Sequence, residues 1–381
     1  MARLGDVCTI VSGSTPKSNI PEYWDGDVKW ITPAELNEGT YIINDSVRHI
    51  TELGVAKTGL KPFPQGTVIL SSRAPIGKTA IAGCEMYCNQ GFKNLICSDR
   101  INPRYLYWFL TCNTEHLNSL GRGATFKEIS KEIVANIEIP LPAKEQQISV
   151  AEKFEKISEL IALRKEQLAK LDQLVKSRFI ELFGVCDTYE LLEDSNIYIS
   201  DGNYSSKYPT ADEFVQEGIP FIRASNMEMN TIVDSNMYFI TKEKHAILLK
   251  GHVKAGDVLI TTRGATIGKI ACVPPRHEDS NINAQIVLLR CPNNEYNPLF
   301  LSWYLKLDNT QVEIQKLISG SAQPQLPIKR LVQLKLLKPD INLQNQFAAF
   351  VEQTDKSKLA IQQSLDKFET LKKSLMQEYF G

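Results

Sequence analysis

Residues 143–184 read AKEQQISVAEKFEKISELIALRKEQLAKLDQLVKSRFIELFG, and this stretch decides the fold. No Pro or Gly interrupts it before Gly184, and apolar residues recur at alternating spacings of three and four. The pattern predicts a helix of about 35 residues, roughly 50 Å long, with an apolar seam along one side. The seam residues are Val150, Phe154, Ile157, Ile161, Leu168, Leu171, Val175 and Leu182, with Arg164 and Arg178 at two further positions.

The end of the chain repeats this pattern from Leu343 onward. Each position of its seam lies about 197 residues after its partner in the first helix. The seam residues are Phe347, Val351, Thr354, Lys358, Ile361, Leu365, Phe368, Lys372, Leu375 and Tyr379. Two long helices with matching seams are predicted to pack on each other as an antiparallel coiled coil. The alternative is two unrelated amphipathic helices, each packed on its own domain.

The repeat extends through the rest of the chain. Residues 68–83 (VILSSRAPIGKTAIAG) correspond to 258–273 (VLITTRGATIGKIACV), where an Arg-containing turn joins two β-rich runs. Residues 102–110 (NPRYLYWFL) correspond to 297–305 (NPLFLSWYL), where Asn-Pro is a good helix start. The sequence therefore predicts a duplicated mixed α/β (α+β) unit. The predicted division is a globular domain at 1–141, a helix at 142–184, a second globular domain at 185–339 and a second helix at 340–381.

Composition limits the possible functions. The net charge of −1 gives no bulk basic excess, so binding to nucleic acid requires locally placed Lys and Arg, or a basic partner. Eight Cys include no C-x-x-C pair and five His show no ligand spacing, so no metal site is predicted. No signal peptide and no membrane-length apolar run are present, and we expect a cytoplasmic protein with no membrane partner.

Motifs of enzymes that act on nucleotides or DNA are incomplete. The IGKT segment at 76–79 resembles the end of a phosphate-binding loop, but Ser72 occupies the position of the first Gly, and Arg263 does so in the second copy. The Asn/Asp-Pro-Pro-aromatic segment of a DNA methyltransferase and the acidic cluster of a metal-dependent nuclease do not occur. We predict no catalytic residue and no cofactor site in this chain.

Side chains suited to reading DNA occur at matching places in the two copies. Arg73 and Arg263 occupy equivalent turns, with Lys78 and Lys269 close behind. Arg can bind guanine through a bidentate fork, and Lys can hold a phosphate. The alternative is that each Arg pairs with a local carboxylate and that Gly-Lys closes a turn.

Amides and polar loops supply further candidates. Asn89 and Gln90, like Asn283 and Gln285, are suited to reading adenine edges, and turn hydrogen bonding is the alternative. Loops containing Gly are predicted to face DNA with Ser14, Thr15 and Lys17, and with Tyr204, Ser205 and Lys207. The remaining candidates are Lys93, Lys127, Arg223, Asn226 and Gln323. Five aromatic residues are predicted to be core rather than base-stacking groups, namely Trp30, Phe92, Tyr105, Tyr107 and Trp108.

The combined pattern resembles the specificity (S) subunit of type I restriction–modification systems, which carries two target recognition domains. The resemblance rests on LGDVCTIVSGSTPKS and PEYWDGDVKWITPAEL near the start, and on SSRAPIGK with NQGFKNL downstream. It also rests on GATFKEISKEIVANIEIPLPAKEQQ, which leads into the first long helix. The second copy departs at this junction, where it reads GSAQPQLPIKRL.

This resemblance implies a non-catalytic, DNA-binding protein. Each domain would read one half of a bipartite double-stranded DNA site, and the helices would set the spacer and dock two modification subunits. Restriction–translocation subunits would join for cleavage. S-adenosylmethionine, Mg²⁺ and ATP would bind to those partners. The rival interpretations are a stand-alone DNA methyltransferase or nuclease, and a coiled-coil adaptor that binds no nucleic acid.

Overall fold

The computed structural model of the chain describes residues 1–37, 39–73, 75–123, 127–204, 207–228, 230–264, 266–291, 295–320 and 323–381. The chain forms two compact units, of which the first is Met1–Gln167 with Ile361–Gly381 and the second is Leu168–Ala360. Each unit contains one globular domain together with a segment of both long helices. The domain boundaries at 141, 184 and 339 stay predictions.

The first unit is built from short strands and helices. Its strands are β1 (Ala2–Arg3), β2 (Cys8–Ser12), β3 (Trp24–Ile31), β4 (Ile42–Ile43), β5 (Arg48–Ile50), β6 (Val68–Leu70), β7 (Thr79–Ala82), β8 (Tyr87–Cys88), β9 (Lys93–Cys97) and β10 (Glu138–Ile139). Its helices are α1 (Leu4–Val7), α2 (Glu52–Thr58), α3 (Pro103–Cys112), α4 (Thr114–Ser119), α5 (Lys131–Ala135) and the start of α6 (Lys144–Phe183). The strands form sheets in the orders β2-β9-β6-β7-β4, β5-β3-β8 and β1-β10.

The second unit contains the remaining elements. Its strands are β11 (Tyr189–Leu191), β12 (Tyr198–Asp201), β13 (Ile219–Ile222), β14 (Met227–Glu228), β15 (Thr231–Ile232), β16 (Tyr238–Ile240), β17 (Val258–Thr261), β18 (Ile270–Cys272), β19 (Asn281–Ile282), β20 (Ile286–Arg290) and β21 (Lys335–Leu337). Its helices are α7 (Lys242–Ile247), α8 (Pro298–Lys306), α9 (Asp308–Leu317), α10 (Ile328–Leu331) and the start of α11 (Ile341–Phe380). The sheet orders are β12-β20-β17-β18, β16-β13-β19, β14-β15 and β11-β21.

The two units share one topology. The strand order β2-β9-β6-β7 in the first matches β12-β20-β17-β18 in the second. In the smaller sheets, β3 pairs antiparallel with β5 and parallel with β8, as β13 does with β16 and β19. The duplication predicted from the sequence is therefore confirmed in the strand pairing.

The helices α3 and α8 begin where Asn-Pro predicts. Asn102 Oδ1 accepts a hydrogen bond from Arg104 N at 2.9 Å, and Asn297 Oδ1 accepts one from Leu299 N at 2.9 Å. These contacts satisfy amides of the first helical turn that have no partner within the helix. The predicted core aromatics are all buried, namely Trp30, Phe92, Tyr105, Tyr107 and Trp108.

The two long helices, α6 and α11, are each 40 residues long. Every predicted seam residue is buried or half-buried, including the polar Arg164, Arg178, Lys358 and Lys372. Lys372 Nζ lies 5.0 Å from the centroid of the Trp108 ring, a distance at which a cation is attracted to the ring face. Arg178 and Lys358 likewise lie over the rings of Phe350 and Trp303, whereas Arg164 donates to Gln167 Oε1 at 2.7 Å.

In the first unit, the start of α6 packs against the end of α11. Lys153 Nζ donates to Tyr379 Oη at 2.8 Å, and Lys165 forms an ion pair with Glu369 at 3.4 Å. As the residue number rises along α6, the number of its partner on α11 falls. The two segments therefore run antiparallel.

In the second unit, the end of α6 packs against the start of α11. Asp172 forms an ion pair with Lys358 at 2.6 Å, and the rings of Phe179 and Phe347 have centroids 5.3 Å apart. The partner numbers again fall along α6. The predicted antiparallel pairing is confirmed within each unit.

A buried glutamine attaches each long helix to its own domain. Gln147 Oε1 accepts from Asn102 N at 2.8 Å, while its Nε2 donates to Arg100 O at 3.1 Å and Pro142 O at 2.9 Å. Gln344 makes the same three bonds in the second unit, with Asn297 N, Glu295 O and Pro339 O. The entry into α6 and α11 is thus fixed in the same way in both copies.

Within the described ranges, no helix contains an apolar stretch long enough to cross a lipid bilayer.

Candidate nucleic-acid interface

In the first domain, three chain segments meet beside the turn that carries Arg73. Ser72 N donates to Gly91 O at 2.8 Å, which joins this turn to the segment before β9. Ile129 N donates to Ser72 O at 3.0 Å, and Arg73 and Glu128 form an isolated antiparallel bridge. The Arg turn is therefore held between the segment before β9 and the junction that precedes α5.

The second domain repeats this arrangement around Arg263. Thr262 N donates to Gln285 O at 2.7 Å, Leu326 N donates to Thr262 O at 2.9 Å, and Arg263 forms an isolated bridge with Gln325. The Arg positions are 190 residues apart and their bridge partners are 197 residues apart. The bridges therefore establish the register of the junction, where the two copies diverge in sequence.

Neither Arg73 nor Arg263 forms an ion pair with any carboxylate in the described ranges. In the first domain the neighbouring carboxylate of Glu128 binds Lys93 Nζ at 3.0 Å. The alternative in which each Arg pairs with a local carboxylate is therefore not what the structure shows. Arg73 is half-buried and Arg263 is exposed.

Lys78 and Lys269 attach the Arg turns to a neighbouring 3-10 turn. Lys78 Nζ donates to Pro33 O and Lys269 Nζ donates to Ala224 O, both at 3.3 Å. An ammonium group has three donors, so one bond to a carbonyl leaves donors for a phosphate. The protein thus orients both ammonium groups in the same way.

Asn89 and Asn283 also occupy equivalent positions. Asn89 Oδ1 accepts from Gly91 N at 2.9 Å, and Asn283 Oδ1 accepts from Gln285 N at 3.1 Å. Each side-chain oxygen thus closes a local turn, which is the structural role considered above as the alternative. Asn283 is buried, whereas Gln285 and Gln90 are exposed.

Two glycines bring the polar loops against these turns. A Cβ atom added at Gly13 would lie 2.0 Å from Cys88 O, and one added at Gly202 would lie 2.4 Å from Asn283 O. Real Cβ atoms do not approach a carbonyl oxygen so closely, so only glycine fits at either place. Sequence reasoning did not single out these two residues, although each follows a β-rich run at the start of its domain.

The loop after Gly13 carries three candidates. Ser14 O accepts from Trp30 Nε1 at 3.0 Å, and Thr15 Oγ1 donates to Gln90 Oε1. Lys17 is exposed, and its carbonyl accepts from Trp24 Nε1 at 3.2 Å. The indole donors of β3 therefore hold the backbone of this loop while polar side chains reach the surface.

The corresponding loop of the second domain carries Tyr204. The guanidinium carbon of Arg263 lies 4.6 Å from the centroid of the Tyr204 ring. Burial raises the pKa of Tyr204 above its usual 10.0, so the ring remains a neutral phenol at physiological pH. Lys207 is exposed, and Ser205 lies outside the described residues.

Arg223 and Asn226 form a small network next to β13. The guanidinium carbon of Arg223 lies 3.4 Å from the centroid of the Tyr238 ring, and its Nη2 donates to Asn236 O at 2.8 Å. Asn226 Oδ1 accepts from Arg223 N at 3.1 Å, and Asn226 Nδ2 donates to Ser235 O at 3.0 Å. Asn226 is fully buried, so its side chain shapes the loop from inside.

The candidates differ in exposure. Nine are exposed, namely Thr15, Lys17, Gln90, Lys127, Tyr204, Lys207, Arg263, Gln285 and Gln323. Six are half-buried, namely Ser14, Arg73, Lys78, Asn89, Arg223 and Lys269. Three are buried, namely Lys93, Asn226 and Asn283.

Comparison with known proteins identifies related chains. The sequence model of the family described as "Type I restriction modification DNA specificity domain" matches residues 1–173 and 200–368. The MjaIX specificity subunit of Methanocaldococcus jannaschii is 38% identical over 184 residues, which cover 48% of this chain and 43% of that relative. The chain thus spans less than half of that relative's length.

Other relatives align over nearly the full chain. The MjaVIII specificity subunit of the same organism is 23% identical over 398 residues, which cover 99% of this chain and 90% of the relative. The EcoprrI specificity subunit of Escherichia coli is 22% identical over 396 residues, which cover 98% and 88%.

Solved structures share the fold. The S subunit of a type I restriction–modification system from M. genitalium has a TM-score of 0.62 at 15% identity, with 100% of this chain and 95% of that chain covered. A chain from a structure describing assembly of the type I R-M system has a TM-score of 0.59 at 19% identity, with 100% and 96% covered.

Proposed function

Because this chain belongs to the family of type I restriction modification DNA specificity domains, we propose that it reads DNA for a type I restriction–modification complex. Each domain reads one half of a bipartite double-stranded site. The observation that carries this proposal is the repeated network around Arg73 and Arg263, which presents different side chains on one scaffold. The same scaffold with different surface residues suits two half-sites of different sequence.

The proposed base contacts come from the exposed candidates. Among the described residues, no carboxylate forms an ion pair with the guanidinium fork of Arg263, which suits guanine in the major groove. Within the described part of the chain, Lys78 and Lys269 each donate one hydrogen bond to a carbonyl, and both suit phosphate contacts, which fix position rather than sequence. Gln90 and Gln285 are exposed amides suited to adenine.

The long helices set the spacer and dock two modification subunits. Both helices expose apolar side chains, namely Leu163, Leu174 and Ile180 on α6 and Leu359 and Leu371 on α11. Apolar groups exposed on helices that already pack against each other are suited to a further protein contact. We assign these exposed apolar side chains to contacts with the modification subunits.

Chemistry belongs to the partners in this proposal. The chain itself is non-catalytic, and S-adenosylmethionine, Mg²⁺ and ATP bind to the modification and restriction–translocation subunits. The net charge of −1 supports this division, because a basic partner would then supply much of the phosphate contact. A stand-alone enzyme and an adaptor without DNA are not favoured by the family and the fold. A cytoplasmic location stays a prediction.

The experiment is a methyl-transfer assay with purified components. The modification subunits alone, this chain alone, and the two together are incubated with a DNA library and a labelled methyl donor. We expect sequence-specific methylation only from the combination. Methyl transfer by this chain alone, or unchanged site choice by the modification subunits without it, would overturn the proposal.

A further inference from the structure

Three side chains of metal-ligand type meet in the second domain. His245 lies in α7, His252 lies in the segment before β17, and Asp279 lies in the turn before β19. One ring nitrogen from each imidazole and one carboxylate oxygen all lie within 4.8 Å of one another. Sequence spacing gave no sign of this group, because the two His are seven residues apart and Asp279 lies 27 residues further on.

The distance between the ligand atoms of His245 and Asp279 suits a metal ion between them. His245 Nε2 lies 3.5 Å from Asp279 Oδ1. A direct N–H···O hydrogen bond is shorter, at about 2.7–3.2 Å. Two ligands that bind one tetrahedral zinc ion at about 2.0–2.2 Å are about 3.4 Å apart. The observed separation therefore matches a shared metal ion better than a direct hydrogen bond.

Each imidazole has one nitrogen held by an oxygen acceptor. His245 Nδ1 donates to Asn281 Oδ1, and His252 Nε2 donates to Leu248 O. In the neutral ring this leaves the other nitrogen with a lone pair. A hydrogen bond on the far nitrogen is also what orients histidine ligands in metal sites. Asn281 is fully buried, and its Nδ2 has no partner within the described residues, so a polar atom without a hydrogen bond lies beside this group.

The backbone holds two of the ligand-bearing segments in register. Asp279 N donates to Val253 O at 2.9 Å, and Val253 N donates to Ser280 O at 3.0 Å. Asp279 has a φ of +63°, in the left-handed region that non-glycine residues rarely adopt. Its carboxylate is thus placed by a strained turn that the neighbouring segment stabilises.

We propose that His245, His252 and Asp279 bind one divalent transition-metal ion of the zinc class. Two imidazoles and one carboxylate form a three-ligand set, and Asp279 is exposed, so the fourth position is open to water. The ion ties α7 to the turn before β19. The chain continues from β19 directly into Asn283 and Gln285, so the metal braces the segment proposed to face DNA.

The first domain provides an internal comparison. Thr51 and Thr241 are the N-cap residues of α2 and α7, which makes Val55 the counterpart of His245. Phe63 N and O both bond to the backbone of Met86, and Val253 N and O bond to the backbone of Ser280 and Asp279. Phe63 therefore corresponds to Val253. The preceding residues, Pro62 and His252, are then counterparts. Neither Val nor Pro is a metal ligand, so the proposal requires one ion per chain and not two.

The test is a zinc titration of the full-length reduced chain by calorimetry, with cobalt absorption as a second readout. We expect one tight equivalent in the unaltered chain, and at least about tenfold weaker binding in His245→Gln and His252→Gln. His116→Gln, which removes a first-domain histidine, should retain the equivalent. All these variants keep the eight free cysteines, so binding to thiols is the same in each.

Asp279→Asn tests the proposal even where the His variants do not fold. Asn tolerates the left-handed conformation, so this variant keeps the turn. It should fold and bind zinc more weakly, with loss of the tetrahedral cobalt bands. Equal zinc affinity in the unaltered chain, His245→Gln and Asp279→Asn would overturn the proposal. Absence of a tight equivalent in the unaltered chain would overturn it as well.

Discussion

The guanidinium of Arg263 lies over the ring of Tyr204, with its central carbon 4.6 Å from the ring centroid. Such a contact contributes about 0.5–1 kcal/mol at an exposed site and fixes the direction of the guanidinium fork. Tyr204→Ala should therefore weaken binding to the second half-site by about that amount. Fluorescence anisotropy with the assembled complex measures it, and Arg263→Ala combined with Tyr204→Ala should cost less than the sum of the two single changes. Additive costs would show that the ring does not position Arg263.

The matched turns predict separate effects on the two half-sites. Arg263→Ala should cost about 1–3 kcal/mol of binding and relax the preference at one base pair of one half-site. Arg73→Ala should act in the same way on the other half-site. Arg263→Lys is the control, since it keeps the charge but loses the bidentate fork. Uniform weakening on all DNA sequences would identify the Arg as a phosphate contact.

Gly13→Ala tests the close approach of the first polar loop to the segment before β9. The added Cβ would lie 2.0 Å from Cys88 O, so the loop that carries Ser14, Thr15 and Lys17 must move. We expect loss of recognition at one half-site with the fold retained, measured by DNA binding and circular dichroism. Gly39→Ala is the comparison, because its Cβ meets nothing within 4 Å and its cost is limited to about 1–2 kcal/mol from its positive φ. Unchanged DNA binding in Gly13→Ala would contradict this role of the loop.

Gln147→Ala should destabilise the first unit. The change leaves Asn102 N and the carbonyls of Arg100 and Pro142 without their partner, and each buried polar group left unpaired costs about 1–3 kcal/mol. Urea unfolding measures the loss. Gln146→Ala, at an exposed position of the same helix, should change stability by less than about 0.5 kcal/mol. Equal stability of the two variants would show that Gln147 does not attach α6 to its domain.

The carboxylate of Glu155 makes the free energy of unfolding depend on pH. Burial alone would raise its pKa, but hydrogen bonds from Arg104 and Tyr41 outweigh burial and hold the pKa below its ordinary value of 4.5. The unfolded chain has the ordinary value, so the stabilisation is complete above about pH 4.5 and is lost as the pH falls through the lower folded value. The difference in unfolding free energy between the unaltered chain and Glu155→Gln should therefore shrink on acidification. A difference for Glu155→Gln that stays constant as the pH falls would contradict the assignment.

The sequence predicted well those features that arise from short local patterns and that occur in both copies. Three features depend on residues that are close together in the chain. They are the seams of α6 and α11, the Asn-Pro starts of α3 and α8, and the matching positions of Arg73 and Arg263. Periodicity and repeat offset therefore report them directly.

The features that sequence missed depend on contacts between distant segments. Gly13 meets Cys88 because β2 pairs antiparallel with β9 and Ser14 N donates to Cys88 O at 3.0 Å, and no local pattern indicates that contact. The side chains of Asn226 and Asn283 close turns of the backbone and are therefore buried. Their residue type alone suggested that they read bases. The group of His245, His252 and Asp279 likewise exists only after the chain folds.

We propose that each domain reads its own half of a split DNA site. The most direct measurement is methylome sequencing of a host that expresses the modification subunits with this chain, with Arg73→Ala or with Arg263→Ala. We expect a bipartite methylated motif that depends on this chain, with Arg73→Ala altering one half and Arg263→Ala altering the other. A motif that persists without this chain, or two variants that alter the same half, would contradict it.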